Sequence, residues 1–234
     1  MKKFLTLCIC FFILILTVSA NDLAFLKTER DKLEITINNY EQILYDFQAV
    51  KNLGERGILQ ELYTNYREKE KQIKEFKVAY GIILDEIEFY REREYPIATD
   101  IWRELKNFGF NDYVAAGIMG NLMVETGGKT LNIKPYDYSS SKNYYGICQW
   151  SKNFYPKVHG ASLEYQIQFL FDTIEYEFNT FGNKYKKGFT YEDFCNLQDT
   201  KEAALAFAKV YERCSGGYTG RKNCAVQAYE YYVS

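Results

Sequence analysis

The chain has 234 residues, 47% of them hydrophobic and 18% aromatic, with a formal net charge of −2 at pH 7. That is enough apolar mass to bury a core in one globular domain plus something more, which excludes a disordered chain, and a charge so near balance excludes a global pull toward nucleic acid or an anionic surface. The 22 tyrosines and 17 phenylalanines against 3 prolines favour packed helices and aromatic-lined surfaces over a proline-rich linker protein, with core packing an equal use for the rings.

At the N-terminus, Lys2 and Lys3 precede the apolar run Phe4 to Thr17, and Val18-Ser19-Ala20 places small residues where a signal peptidase reads. The expectation is a signal peptide over residues 1–20, cleaved after Ala20, and a secreted product. The run falls short of the ~20 residues of a spanning helix, and an uncleaved membrane anchor is the alternative. Cleavage removes Cys8 and Cys10 and leaves Cys148, Cys195, Cys214 and Cys224, an even number in an exported chain, which favours disulfides. The expected pairing is Cys214 with Cys224, closing the loop SGGYTGRKN, and Cys148 with Cys195; four buried thiols are the alternative. No CxxC pair is present and His159 is the only histidine, so neither a metal nor a cofactor is called for. The same scarcity of histidine argues against Ser-His and Cys-His hydrolases, and His159 reads as an ordinary surface or loop residue.

Residues 21–95 alternate charged and apolar positions at helical spacing without a proline. Apolar positions recur at Leu26, Leu33, Ile37, Tyr40, Leu44 and Phe47, and again at Leu59, Leu62, Tyr66, Ile73, Phe76, Tyr80, Ile83, Ile87 and Tyr90. Gly54 and Gly57 in LGERG offer a turn between the two runs, so the segment reads as an antiparallel helical hairpin or coiled-coil stalk, open to self-association. Nothing in it suggests chemistry.

Residues 96–234 form the second unit. Ala98 to Phe108 is a short helix stopped by Gly109; Asn111 or Asp112 caps the next, which runs through Val114, Ala115, Ile118, Leu122 and Met123 to about Thr126. Glu125 therefore sits in a last turn, against Gly127 and Gly128. Desolvation and the negative end of the helix dipole both disfavour its anion, and a protonated glutamate at a cleft is what glycosidic bond cleavage requires. Thr130 to Trp150 is polar, rich in tyrosine and of little helical period, and predicts an irregular lobe with two or three short strands. Tyr136, Tyr138, Tyr144 and Tyr145 could stack on sugars there, Gly146 lets backbone approach a ligand, and Gln149 and Trp150 add an amide and a flat ring. Four helical runs follow: Leu163 to Phe178, Tyr191 to Asn196, Lys201 to Arg213 and Arg221 to Tyr232. The unit is predicted to be mainly α, an α+β domain with a small β lobe.

The runs WRELKNFGFNDYVAAGIMGNLMVETGG, YYGICQW, SLEYQIQFL, AALAFAKVYER and RKNCAVQAYEYY, from about Ile97 to Tyr232, resemble the phage-tail lysozyme family of the lysozyme-like superfamily, related to goose-type lysozymes and lytic transglycosylases. The resemblance implies a lysozyme-like fold acting on the glycan strands of peptidoglycan, with Glu125 as general acid and Gly146, Gln149 and Trp150 in the substrate-cleft motif. It places Tyr211 in the helix that faces the cleft in transglycosylases. Glu125-Thr126 stands where family members commonly have Glu-Ser, and SKNFYPK replaces an arginine pair that often follows the Gln-Trp motif. The reaction divides on a second carboxylate, which a hydrolase holds roughly 5 to 9 Å from its acid. Asp137, in the lobe, is the expected candidate, with turn formation as its other use. Without such a group Glu125 acts as acid and then base while the MurNAc 6-hydroxyl attacks, which is lytic transglycosylation. A non-catalytic glycan-binding module and a structural coiled-coil protein are the rival classes; the first leaves Glu125 unused, the second leaves the Glu-Gly-Gly and Gly-Ile-Cys-Gln-Trp stretches unexplained.

Overall fold

A computed structural model describes residues 23–51 and 59–233, with side chains described outside 46–65. The leader at 1–20, the LGERG turn and the side chains of Phe47, Leu59 and Leu62 lie outside the described residues. The chain divides into two compact units, Met1–Arg91 and Glu92–Ser234.

In the first unit α1 (Leu23–Lys51) and α2 (Leu59–Glu94) form the expected hairpin. Leu26 packs with Ile83 and Ile87 in a small buried core flanked by Leu23, Leu33 and Tyr90. Farther along, the Tyr40 ring lies 5.7 Å from that of Phe76, Lys69 sits over Tyr40, and Lys77 pairs with Glu41 at 2.6 Å. Early residues of α1 meet late residues of α2, so the helices run antiparallel. Ile35, Ile43, Val78, Leu84 and Phe89 stay exposed.

The second unit starts at α3 (Pro96–Asn107), with Pro96 in the first turn, where its missing N–H costs nothing. The side chain of Asn111 caps α4 (Asp112–Glu125) by accepting from the Val114 N–H at 3.0 Å. Because α4 is apolar all round, it can only be a central helix, and it packs against α3, α7 (Thr200–Val210) and α8 (Tyr218–Tyr232). Gly117 and Gly120 let it come close: an added Cβ on Gly117 would lie 2.5 Å from Ala203 Cβ, and one on Gly120 2.5 Å from the Ala225 backbone nitrogen. The β lobe is smaller than the sequence suggests, since only β1 (Tyr144–Tyr145) and β2 (Trp150–Ser151) pair, antiparallel, with an isolated bridge from Tyr138 to Tyr145. After the lobe come α5 (Leu163–Phe181) and α6 (Tyr191–Cys195). The rings of Phe178, Phe194, Phe207 and Tyr211 follow one another through this half of the core, stacked in the first and last pairs and tilted in the middle one, so many of the aromatics serve packing.

Candidate functional site

Glu125 ends α4, and Arg221 in the first turn of α8 forms a short ion pair with its Oε1. An anion at a helix C-terminus and a cation near a helix N-terminus are each placed against the local dipole, and each answers the other. The guanidinium side chain is only 7% exposed and the carboxylate side chain 18%. Arg221 is held from behind: one terminal nitrogen donates to Asn121 Oδ1 at 3.0 Å, and the Asn121 amide donates to the carbonyls of Gly117 and Ala204 at 2.9 and 3.0 Å. Asn121 lies one helical turn before Glu125, so a single face of α4 carries both residues that fix Arg221. Burial works against the charge of Arg221, and the pull of Glu125 and Glu212 outweighs it, so its pKa is raised. The sequence reading, which had only desolvation and the dipole acting on Glu125, omitted this counter-charge.

A second carboxyl group joins the cluster, and it is Glu212. Helix α7 ends at Val210; the Glu212 N–H then reaches back to the Phe207 carbonyl at 3.1 Å, Arg213 turns left-handed (φ +54°), and the Cys214 N–H bonds the Ala208 carbonyl at 2.8 Å. Lys201 to Arg213 is thus not one continuous helix, and the break aims Glu212 inward. Arg213 is anchored away from the cluster by its ion pair with buried Glu177. Desolvation pushes the Glu212 carboxyl well above the usual carboxylate range, and repulsion from Glu125 adds to this against the pull of Arg221 and a hydrogen bond from the Cys148 thiol. Cys148 belongs to the Gly-Ile-Cys-Gln-Trp loop, and burial pushes its thiol well up, with Glu212 and Glu125 next in effect. The loop thus places Cys148 within the electrostatic reach of both carboxyl groups.

Asp137, the expected second carboxylate, lies at the surface of the lobe. Its side chain is 56% exposed and lies 3.9 Å from Lys134. Its backbone takes part in the lobe, the carbonyl accepting from Gly146 N–H at 3.2 Å and from the Gln149 amide at 3.2 Å.

The lobe residues mostly build the lobe. Tyr145 is 3% exposed and donates its hydroxyl to the Ala161 carbonyl; Trp150 is 5% exposed with its ring edge-on to Phe169. Neither offers the free face expected for sugar stacking, whereas Tyr136, Tyr138, Tyr144 and Phe154 do lie exposed. Gly146 (φ +80°) is approached by a protein group, buried Gln166: an added Cβ would lie 2.2 Å from Gln166 Oε1. That oxygen accepts from the Ile147 N–H at 2.9 Å while the Gln166 amide donates to the carbonyls of Pro135 and Ala161. Gln149 holds a left-handed backbone (φ +47°), its amide also donating to the Gly146 carbonyl at 3.0 Å. Such strain in a non-glycine residue is typical of functional loops. Tyr211 stacks on Phe207 and its hydroxyl pairs with Thr173 at 2.8 Å, so it supports the site from within. His159 also has internal work, bonding the Trp150 carbonyl through Nε2 at 2.8 Å.

Among the described residues Cys148, Cys195, Cys214 and Cys224 are free thiols, and the expected bridges are not formed. Cys148 lies against Glu212, and Cys195 lies at the end of α6 beside Tyr191.

No curated protein and no solved structure matches the chain. One family model does, the phage tail lysozyme, over residues 96–232, more than half of the chain and all of the elements that carry Glu125, Glu212, Arg221 and the Gly146 loop. The family acts on peptidoglycan glycan strands as lysozyme-like muramidases or lytic transglycosylases. With its mainly α fold, its small β lobe and this match, the chain belongs to the phage tail lysozyme family.

Proposed function

We propose that the protein is an exported glycosidase that cleaves the β-1,4 bond between N-acetylmuramic acid and N-acetylglucosamine, with Glu125 as general acid. The observation that carries the reading is the cluster at the end of α4: a partly exposed carboxylate fixed by a buried guanidinium, with a strained loop and a second carboxyl whose Oε1 is enclosed. A glycosidase needs a carboxyl group held in place and able to cycle its proton, and fixed dipoles around it to stabilise charge as the bond breaks. The exposed rings of Tyr136, Tyr138 and Tyr144 are the lobe's available sugar-stacking faces.

A second reading has its own support. Asp137 is solvent-exposed and beside Lys134, and Glu212 is enclosed, which favours a site with one working carboxylate and so a lytic transglycosylase. Mass spectrometry of the products released from purified peptidoglycan separates the two: reducing MurNAc ends mark hydrolysis and 1,6-anhydro ends mark transglycosylation. Wall binding with no products from the wild-type protein would leave only a glycan-binding module.

Export rests on the sequence of residues 1–20 and is tested by N-terminal sequencing of protein recovered outside the producing cell, which should begin at Asn21. The exposed apolar side chains Ile35, Ile43, Val78, Leu84 and Phe89 support self-association through the hairpin, which light scattering of the purified protein would reveal.

A further inference from the structure

The cluster around Glu125 contains two carboxyl groups and one guanidinium, and two of its enclosed polar atoms are left over. Arg221 Nε donates to no partner and Glu212 Oε1 accepts from none. A donor and an acceptor are both shielded from water and both unused, on residues whose charges act on each other. Buried polar groups are ordinarily satisfied, so a complementary pair of orphans points to a contact made in another state of the site.

A general acid must hold a proton, and the Glu125 carboxylate is engaged by Arg221. We propose that Glu212 is the proton reservoir of the site, a positioning residue that passes its proton to Glu125 as Arg221 turns from Glu125 Oε1 to Glu212 Oε1. The inference deepens the proposed function and rests on it. In the transfer the O–H bond of Glu212 breaks, its electron pair stays on Glu212 as a carboxylate, and an O–H bond forms on Glu125. Arg221 keeps its charge throughout, so the cluster changes neither its charge nor its proton count. Glu125 then gives the proton to the leaving oxygen and takes one back from the attacking water or hydroxyl, and returning it to Glu212 restores the resting pair.

The surroundings fit the role. Besides Glu125 from α4 and Arg221 from α8, the groups facing Glu212 are Cys148 from the lobe and its chain neighbours Tyr211 and Cys214. Burial and the neighbouring Glu125 charge keep the Glu212 carboxyl neutral well above the ordinary carboxylate range, so a proton is at hand under conditions where an isolated carboxyl would have lost it. Arg213, in its left-handed conformation and tied to Glu177, holds the Glu212 backbone in the turn.

The test is the pH dependence of peptidoglycan cleavage, from about pH 4 to about pH 9, for the wild type, Glu125→Gln, Glu212→Gln, Glu212→Asp and Cys148→Ala. Glu212→Gln should lose about tenfold or more in kcat near neutrality with KM unchanged, less in acid where bulk protons reach Glu125, and its alkaline limb should move down by about one pH unit. Glu212→Asp keeps a carboxyl and should return the alkaline limb to its wild-type position, with the rate lowered by its shorter reach. Cys148→Ala removes the hydrogen bond that stabilises the Glu212 anion and should move the limb the other way, which decides the matter if Glu212→Gln does not fold. Glu212→Gln and Cys148→Ala profiles that superimpose on the wild type, whether or not scaled down, would overturn the inference while an inactive Glu125→Gln left the proposed function standing. An active Glu125→Gln would overturn both.

Discussion

Gly120→Ala tests whether the close approach of α4 and α8 is what assembles the cluster. A Cβ at this position would lie 2.5 Å from the Ala225 nitrogen, 2.6 Å from the Arg221 carbonyl oxygen and 2.7 Å from the Ala225 Cα, and ordinary contact begins at 3.4 Å. The helices must therefore separate by 3.4 − 2.5 = 0.9 Å, and no side chain can absorb it because all three neighbours are backbone. Overpacking of this kind costs about 1–3 kcal/mol, and the better helix propensity of alanine returns at most ~1 kcal/mol of that. The larger effect is on the site: Arg221 rides on the displaced helix while its partners Glu125 and Asn121 stay on α4. A misplacement of about 1 Å in a catalytic array costs on the order of 10²-fold in rate. Urea unfolding and the rate of peptidoglycan lysis are measured together, with Gly81→Ala as control. Gly81 lies within α2 with nothing within 4 Å of an added Cβ, so its substitution should stabilise the hairpin by roughly 0.5–1 kcal/mol and leave lysis unchanged. Wild-type stability and lysis in Gly120→Ala would refute the argument.

Arg221→Met leaves the Glu125 carboxylate partly buried without its counter-charge and strips Asn121 Oδ1 of its donor; urea titration should show a loss of about 3–5 kcal/mol. Gln166→Leu removes one acceptor and two donated bonds that tie the loop Gly146–Trp150 to Pro135 and Ala161, and orphans the Ile147 N–H and the Pro135 carbonyl, while the Ala161 carbonyl keeps the Tyr145 hydroxyl. At about 1–3 kcal/mol for each buried group left unmade, limited proteolysis should cut the lobe far faster than in the wild type. For Glu212 the linkage runs opposite to that of a salt-bridged carboxylate. Its pKa is raised in the folded state, so above about 4.5 the unfolded chain releases a proton that the folded chain keeps, and stability falls as pH rises toward the folded pKa. Denaturation midpoints measured across that range should decline with a slope of up to about 1.4 kcal/mol per pH unit, and Glu212→Gln should remove this component.

Much of the catalytic domain could be read from the chain because its signals are local. Asn111 is a helix cap by its side chain, and α4 is central because it is apolar on every side. The end of α4, and so the station of Glu125, follows from Thr126-Gly127-Gly128. Glu212 and Arg221 escaped notice because their roles depend on contacts 87 and 96 residues away from Glu125 in sequence. The one local sign was the YER sequence, a carboxylate closing an alanine-rich buried helix. Asp137 stands out in the sequence because it is near Glu125 and in a polar loop, and in that loop its carboxylate is exposed beside Lys134. Trp150 and Tyr145 misled in the opposite sense: polar neighbours suggested exposure, while Trp150 packs on Phe169 of α5 and Tyr145 is buried with its hydroxyl on the Ala161 carbonyl.

The central claim is that Glu125, held by Arg221 and Asn121, is the group that breaks the glycosidic bond. The most direct test compares the release of soluble muropeptides from purified peptidoglycan by Glu125→Gln and Asp137→Asn, with wall binding measured in parallel by sedimentation. Binding should survive in both, release should fall by on the order of 10³-fold or more in Glu125→Gln, and Asp137→Asn should stay within about twofold of the wild type. Release sustained by Glu125→Gln, or abolished by Asp137→Asn, would contradict the account.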